Sequence, residues 1–147
     1  MKAISLWQPW ASAVSLGLKR FETRHWATLY RGTLAIHAAK TTVGRDFFEK
    51  SLMMTGEIRQ VFDRENLYSF RMLPKGAIVA VCELEKCLPT NLPMSFTAIE
   101  TMLGDFSPGR FAWRLVNVRG LKRPYFVVGH QGIFNVPDDL GETTEVL

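Results

Sequence analysis

Cysteine is scarce in this chain: Cys82 and Cys87 are the only two among 147 residues. They stand five apart within an apolar, strand-like run. An odd offset on a strand places them on opposite faces, which disfavours a bridge between them. Histidine is scarce too, and His25, His37 and His130 are scattered with no zinc-ligand spacing. The thiols therefore read as plain buried side chains, and neither a metal nor a cofactor is expected. No apolar run approaches the roughly 18 residues needed to span a bilayer. The opening Met-Lys-Ala-Ile-Ser-Leu-Trp lacks the hydrophobic stretch and cleavage site of a secretory signal. A soluble, cytoplasmic protein without membrane contact is the expectation. No G-x-G-x-x-G and no Walker lysine motif is present, which argues against a nucleotide-cofactor fold. Internal repeats, low-complexity tracts and linkers are also missing.

What is present suits one globular domain. The chain weighs 16.7 kDa, with 47% hydrophobic, 22% charged and 12% aromatic residues. That composition lies close to the globular average and supplies one core. Net charge is +4. Asp138, Asp139, Glu142 and Glu145 crowd the last ten residues, so residues 1–137 hold 18 basic against ten acidic residues, a formal +8. A basic body fits a polyanionic partner, because cationic fields steer and hold phosphates. It equally fits a small protein kept soluble by its charge.

Hydrophobic patterning predicts short strands with helices between them. Lys2–Leu6 reads as a first strand, and Pro9 opens a helix that should end at Gly17 in a left-handed cap. Residues 21–24 and 33–38 look extended, and 45–65 is the strongest helix candidate, with Gly56 a kink or break. Residues 77–88 carry the longest strand signal, 96–103 a short helix, and 111–118 and 124–128 two more strands. The acidic tail, 138–147, should be loose. This order predicts an α+β domain: a small, curved, mixed sheet or open barrel with helices packed over its ends.

The densest polar constellation lies at the corner where the first helix gives way to the second strand, from Gly17 to Arg24. Period-two alternation puts Glu22 and Arg24 on one strand face. A lysine beside a glutamate can position a ligand or act as a base if desolvated, and arginine offers a planar fork for phosphate or carbonyl. The competing reading is a structural ion-pair cluster at a helix end, where cations suit the macrodipole.

The same segment resembles the signature of the ASCH domain family, G-x-K-x-x-E-x-R, with Gly17, Lys19, Glu22 and Arg24 filling its fixed positions. The flanks are similar as well: Ser5-Leu6-Trp7-Gln8-Pro9-Trp10-Ala11 before it, Arg31–Ala38 after it, and the later segments 76–81, 111–115 and 129–134. The resemblance covers most of residues 2–137. It implies a PUA-like pseudo-barrel with inserted helices, a β-barrel relative. It also implies an RNA or nucleotide ligand in a cleft beside the signature. Some family members are hydrolases, among them an acetylcytidine amidohydrolase and a ribonuclease. The amidohydrolase's lysine corresponds to Lys19, but Glu22 stands where it has threonine and supplies no hydroxyl nucleophile.

These readings give Lys19 and Glu22 as candidate catalytic residues, in a base or electrostatic role and an acid–base role. Gln8, Trp10, Arg24, Trp26, His37 and Lys40 are candidate ligand contacts. Trp10 and Trp26 bracket the signature and are preferred as stacking platforms over Trp7 and Trp113. His37 is either a satisfied core histidine or a cleft residue. Glu83 is expected where a strand face meets water. The functional expectation is an RNA- or nucleoside-binding domain. The rivals are a hydrolase of RNA or a modified nucleoside, and a protein-interaction module whose signature is structural.

Overall fold

The computed structural model describes residues 1–146. Strand β1 (Lys2–Leu6) leads through the cis Gln8–Pro9 bond into helix α1 (Trp10–Ser15). The helix ends where a left-handed residue is needed: Gly17 has φ of 79°. Its N–H donates to Val14 O at 3.0 Å and that of Leu18 to Ala13 O at 2.9 Å, a Schellman closure. Strand β2 (Phe21–Arg24) follows, then β3 (Gly32–Ala38). Helix α2 (Arg45–Lys50), a 3-10 turn at Leu52–Met54 and helix α3 (Gly56–Arg64) occupy the region read as one helix. The break falls at Ser51 and Thr55, and Gly56 starts α3 rather than kinking a longer helix. A second 3-10 turn at Phe70–Met72 precedes the long strand β4 (Ala77–Pro89). Helix α4 (Ala98–Leu103), strand β5 (Phe111–Phe126), and the short β6 (Phe134–Asn135) and β7 (Thr143–Glu145) complete the chain.

All strands join one mixed sheet in the order β2-β5-β4-β3-β1-β6, with β7 added to β5. Among the described residues only β1 and β3 are parallel. β5 is continuous where two strands were expected. The β4–β5 ladder shifts register three times, and these bulges bend the pair without ending it. Among the described residues β2 and β6 are not paired, so the expected barrel is not closed. β2 pairs with β5 along its four residues and β6 with β1 along its two. Residues that follow β2 and residues that precede β6 line a shared cavity.

Helix α1 lies between two apolar clusters. Its Ala11 and Val14 pack with Leu34, Ile36 and Trp113 of the sheet, and Ala13 packs with Phe48, Phe62 and Leu103 of the helical layer. Small side chains on both faces permit this double burial. Cys82 is buried and free, with its thiol pushed up to about 12 by burial; Cys87 is also free. Glu83 is exposed, as expected of the point where its strand meets water.

The tail departs from expectation. Thr143–Glu145 pairs with Leu121–Arg119, and Asp138 meets the Met1 ammonium at 2.6 Å and Glu142 meets Lys122 at 2.9 Å. Two of its four acids find cations outside the tail, and its threonines suit an edge strand. Leu147 lies outside the described residues.

Candidate functional site

The signature corner builds a polar chain that runs from the interior to the surface. Lys19 is buried, 1% exposed, and its Nζ donates to Leu103 O at 2.8 Å. The same ammonium lies 3.4 Å from Glu22 Oε1. Glu22 Oε1 also accepts from Thr23 N, and Oε2 accepts from Arg24 Nε at 3.0 Å. Arg24 then donates through its second terminal nitrogen to Ser5 O at 2.7 Å. The alternation that places Glu22 and Arg24 together holds, and β2 is fixed by pairing with Phe111–Arg114 of β5. Burial drives the Lys19 ammonium below its ordinary value, while Glu22 and Glu100 pull it back up.

Glu100 carries no sign of this role in the sequence. It sits 5% exposed on α4, and its carboxylate accepts from Arg20 N and Phe21 N at 3.0 Å each. It thus clamps the start of β2. Thr97-x-x-Glu100 has the capping-box spacing, and Thr97 Oγ1 does accept from Glu100 N at 3.1 Å. The glutamate side chain reaches across to β2 instead of returning to the cap.

Two adjoining cavities open beside this chain. The first has a volume of about 980 Å³ and collects all three histidines, together with Trp26, Lys40 and Arg24. The second, about 570 Å³, is lined by Trp10, Glu22, Leu103, Asp105 and Arg110. Ser5, Trp7, Arg24 and His25 belong to both, so they form the wall between the two.

His37 forms the floor of the first chamber and is 2% exposed. Its Nε2 lies 2.8 Å from Val127 O, which can only accept, so Nε2 carries the proton. Its Nδ1, 2.9 Å from Ser5 Oγ, is then the acceptor. Burial pushes its pKa down, favouring this neutral, doubly bonded ring. The loop before β6 closes over it at Gly129, where a Cβ would fall 2.4 Å from the imidazole. In the second chamber, Asp105 is held below the usual carboxylate range by hydrogen bonds from Ser107, with Arg110 adding to the effect. Among the described residues, no three His, Cys, Asp or Glu side chains are grouped to hold a metal.

The remaining sequence candidates sort as follows. Lys40 is exposed on the first chamber, and Trp26 lines it with its ring edge-on to Trp113 at 4.8 Å. Trp10 lines the second chamber, stacked on Phe47 at 5.0 Å. Lys19 and Gln8 line neither. Gln8 is wholly buried, its amide bonded to Ser12 and to Pro74 O, so it fixes the entry to α1. Trp7, passed over in the sequence, is 53% exposed on the wall between the chambers, and Phe126 is 72% exposed at the first. A lone tryptophan between a strand and a helix carries no mark of exposure. Arg110 is missed because its bond to Thr23 O spans 87 residues, although its other partner, Asp105, lies only five positions away.

This fold is that of a known class. The model of the ASCH domain family matches residues 4–125, and the chain belongs to that family, which is generally linked to RNA binding. A crystal structure of a point mutant of ZmASCH, from Zymomonas mobilis, superposes with a TM-score of 0.53 at 14% identity. The alignment covers 93% of this chain and 90% of that one. That likeness shows the PUA-like fold. Among curated proteins no match is found. Among the described residues, no helix is long and apolar enough to cross a membrane.

Proposed function

We propose that this ASCH domain binds single-stranded RNA, or a nucleotide piece of it, in the first chamber. The observation that carries the reading is a pair of exposed aromatic side chains, Trp7 and Phe126, on a cavity whose charged lining residues are Arg24 and Lys40, with no carboxylate among the described residues. Aromatic faces stack on any base, each stack contributing about 1–3 kcal/mol, while cations take the phosphates. The formal +8 of residues 1–137 supplies the long-range field. In this reading Lys19 is a positioning residue that acts through Glu22 on Arg24. The test is a titration of a fluorescent single-stranded RNA across salt concentrations. Two to four neutralised phosphates give a log–log slope of about −1.4 to −2.8. Trp7→Ala weakens binding by about 1–3 kcal/mol and leaves the melting temperature nearly unchanged, because the ring is half exposed. No binding at low salt by folded protein favours a protein-interaction module.

A hydrolytic reading has its own support, the gathering of His25, His37 and His130 in one chamber. The imidazoles of His25 and His130 are exposed, where each can reach a ligand as proton donor or acceptor. Glu22, on the second chamber, is the acid–base candidate across the wall, paired with Lys19 and Arg24. Incubation of RNA or acetylcytidine with the protein separates the two readings: a binder returns the ligand intact.

A further inference from the structure

We propose that the ligand is a dinucleotide step, two successive nucleotides seated one in each chamber with the linking phosphate on Arg24; this rests on the RNA-binding reading above. Each chamber alone, at about 980 and about 570 Å³, falls within the roughly 300–1,000 Å³ of a single small-ligand pocket. The two share one wall, made by Ser5, Trp7, Arg24 and His25. A free nucleoside leaves one chamber unused. A strand whose neighbouring bases are splayed apart, as in single-stranded RNA recognition, fills both.

Charge assigns the parts of the ligand. The first chamber has Arg24, Lys40 and three imidazoles and, among the described residues, no carboxylate. The second carries Glu22 and Asp105 against Arg24 and Arg110. A phosphate is repelled by two carboxylates, so the second chamber suits a base, whose N–H groups a carboxylate accepts. Arg24 is the cation common to both. Its guanidinium has five N–H donors, of which Glu22 and Ser5 take two. The side chain is still 24% exposed, which leaves donors for a phosphate at the junction. Trp7, half exposed on the same wall, offers its ring to a base.

The experiment is a calorimetric titration at one fixed low salt with cytidine 5′-monophosphate, the dinucleotide pCpC and the tetranucleotide pCpCpCpC. The dinucleotide is expected to bind about tenfold tighter than the mononucleotide, one stacked base being worth that much. The tetranucleotide should add little beyond its extra phosphates. Arg110→Ala, which alters the second chamber only, should reduce the dinucleotide advantage to near unity. A mononucleotide that binds as tightly as the dinucleotide overturns the two-chamber proposal while leaving RNA binding intact. So does a tenfold advantage that survives Arg110→Ala in folded protein. Failure of all three ligands to bind removes the RNA-binding reading itself, and this inference with it.

Discussion

Replacing Lys19 is expected to damage folding first. A solvated helix-end lysine is worth about 0.3–1 kcal/mol. Lys19 is not solvated: its side chain is 1% exposed and its ammonium reaches Leu103 O at 2.8 Å and Glu22 Oε1 at 3.4 Å. Removing one partner of a buried pair costs about 3–5 kcal/mol. Here the lower end applies, because Glu22 keeps Arg24 at 3.0 Å and the amide of Thr23. The orphaned carbonyl of Leu103 adds about 1–3 kcal/mol. Against these stands the relief of a buried ammonium, whose cost is visible in its depressed pKa. Lys19→Ala should therefore lose about 3–4 kcal/mol, and its melting temperature should fall by about 10 °C. Urea denaturation followed by circular dichroism measures the loss, with an unchanged slope confirming that the same surface unfolds. Lys19→Met keeps most of the apolar stem and separates packing from charge. A loss under about 1 kcal/mol in Lys19→Ala, with the slope unchanged, would refute the buried network.

Glu100→Gln replaces one acceptor oxygen by a donor facing the amides of Arg20 and Phe21. It should cost about 1–3 kcal/mol in urea melts, and hydrogen exchange at those two amides should speed up. His37 gives a pH dependence of definite sign. Its folded pKa lies below the ordinary 6.5, so the unfolded chain takes up a proton that the folded chain does not. Stability is therefore full above that value and falls as pH drops below it. Urea midpoints between pH 7.5 and 5.5, a range chosen to stay above the carboxylates, should decline in the wild type and decline less in His37→Gln.

How much of this was legible in the sequence differs between local and distant partners. Gly17 is readable because a helix end needs a left-handed residue, and the structure puts it at φ of 79° within the expected closure. The Glu22–Arg24 pair is readable because alternation on a strand is a local rule. The tail is not: it reads as loose, yet Asp138 meets an ammonium 137 residues away, and Thr143–Glu145 finds an edge of β5. The split of 45–65 into α2, a 3-10 turn and α3 also escapes apolar periodicity. Phe48, Leu52, Ile58 and Phe62 are all buried in one cluster whether or not the helix is continuous.

The site was legible in composition and illegible in depth. Gly17, Lys19, Glu22 and Arg24 suggest three ionisable groups exposed around one corner, since lysine is the residue least expected inside. The structure arranges them in series instead. Lys19 is innermost because α4, more than 80 positions later, brings the Leu103 carbonyl and the Glu100 carboxylate to it. Glu22 lies between that ammonium, 3.4 Å from its Oε1, and Arg24, whose Nε donates to its Oε2 at 3.0 Å. Only Arg24 borders both chambers with its guanidinium partly free. The spacing of lysine, glutamate and arginine along one short segment is then a device for carrying charge outward by one residue at a time. The interior group sets the orientation of the next, and the last is the one offered to a ligand. A substitution at either inner position should therefore reach the ligand through the aim of Arg24 as well as through stability. The two effects separate when binding is measured on protein verified as folded.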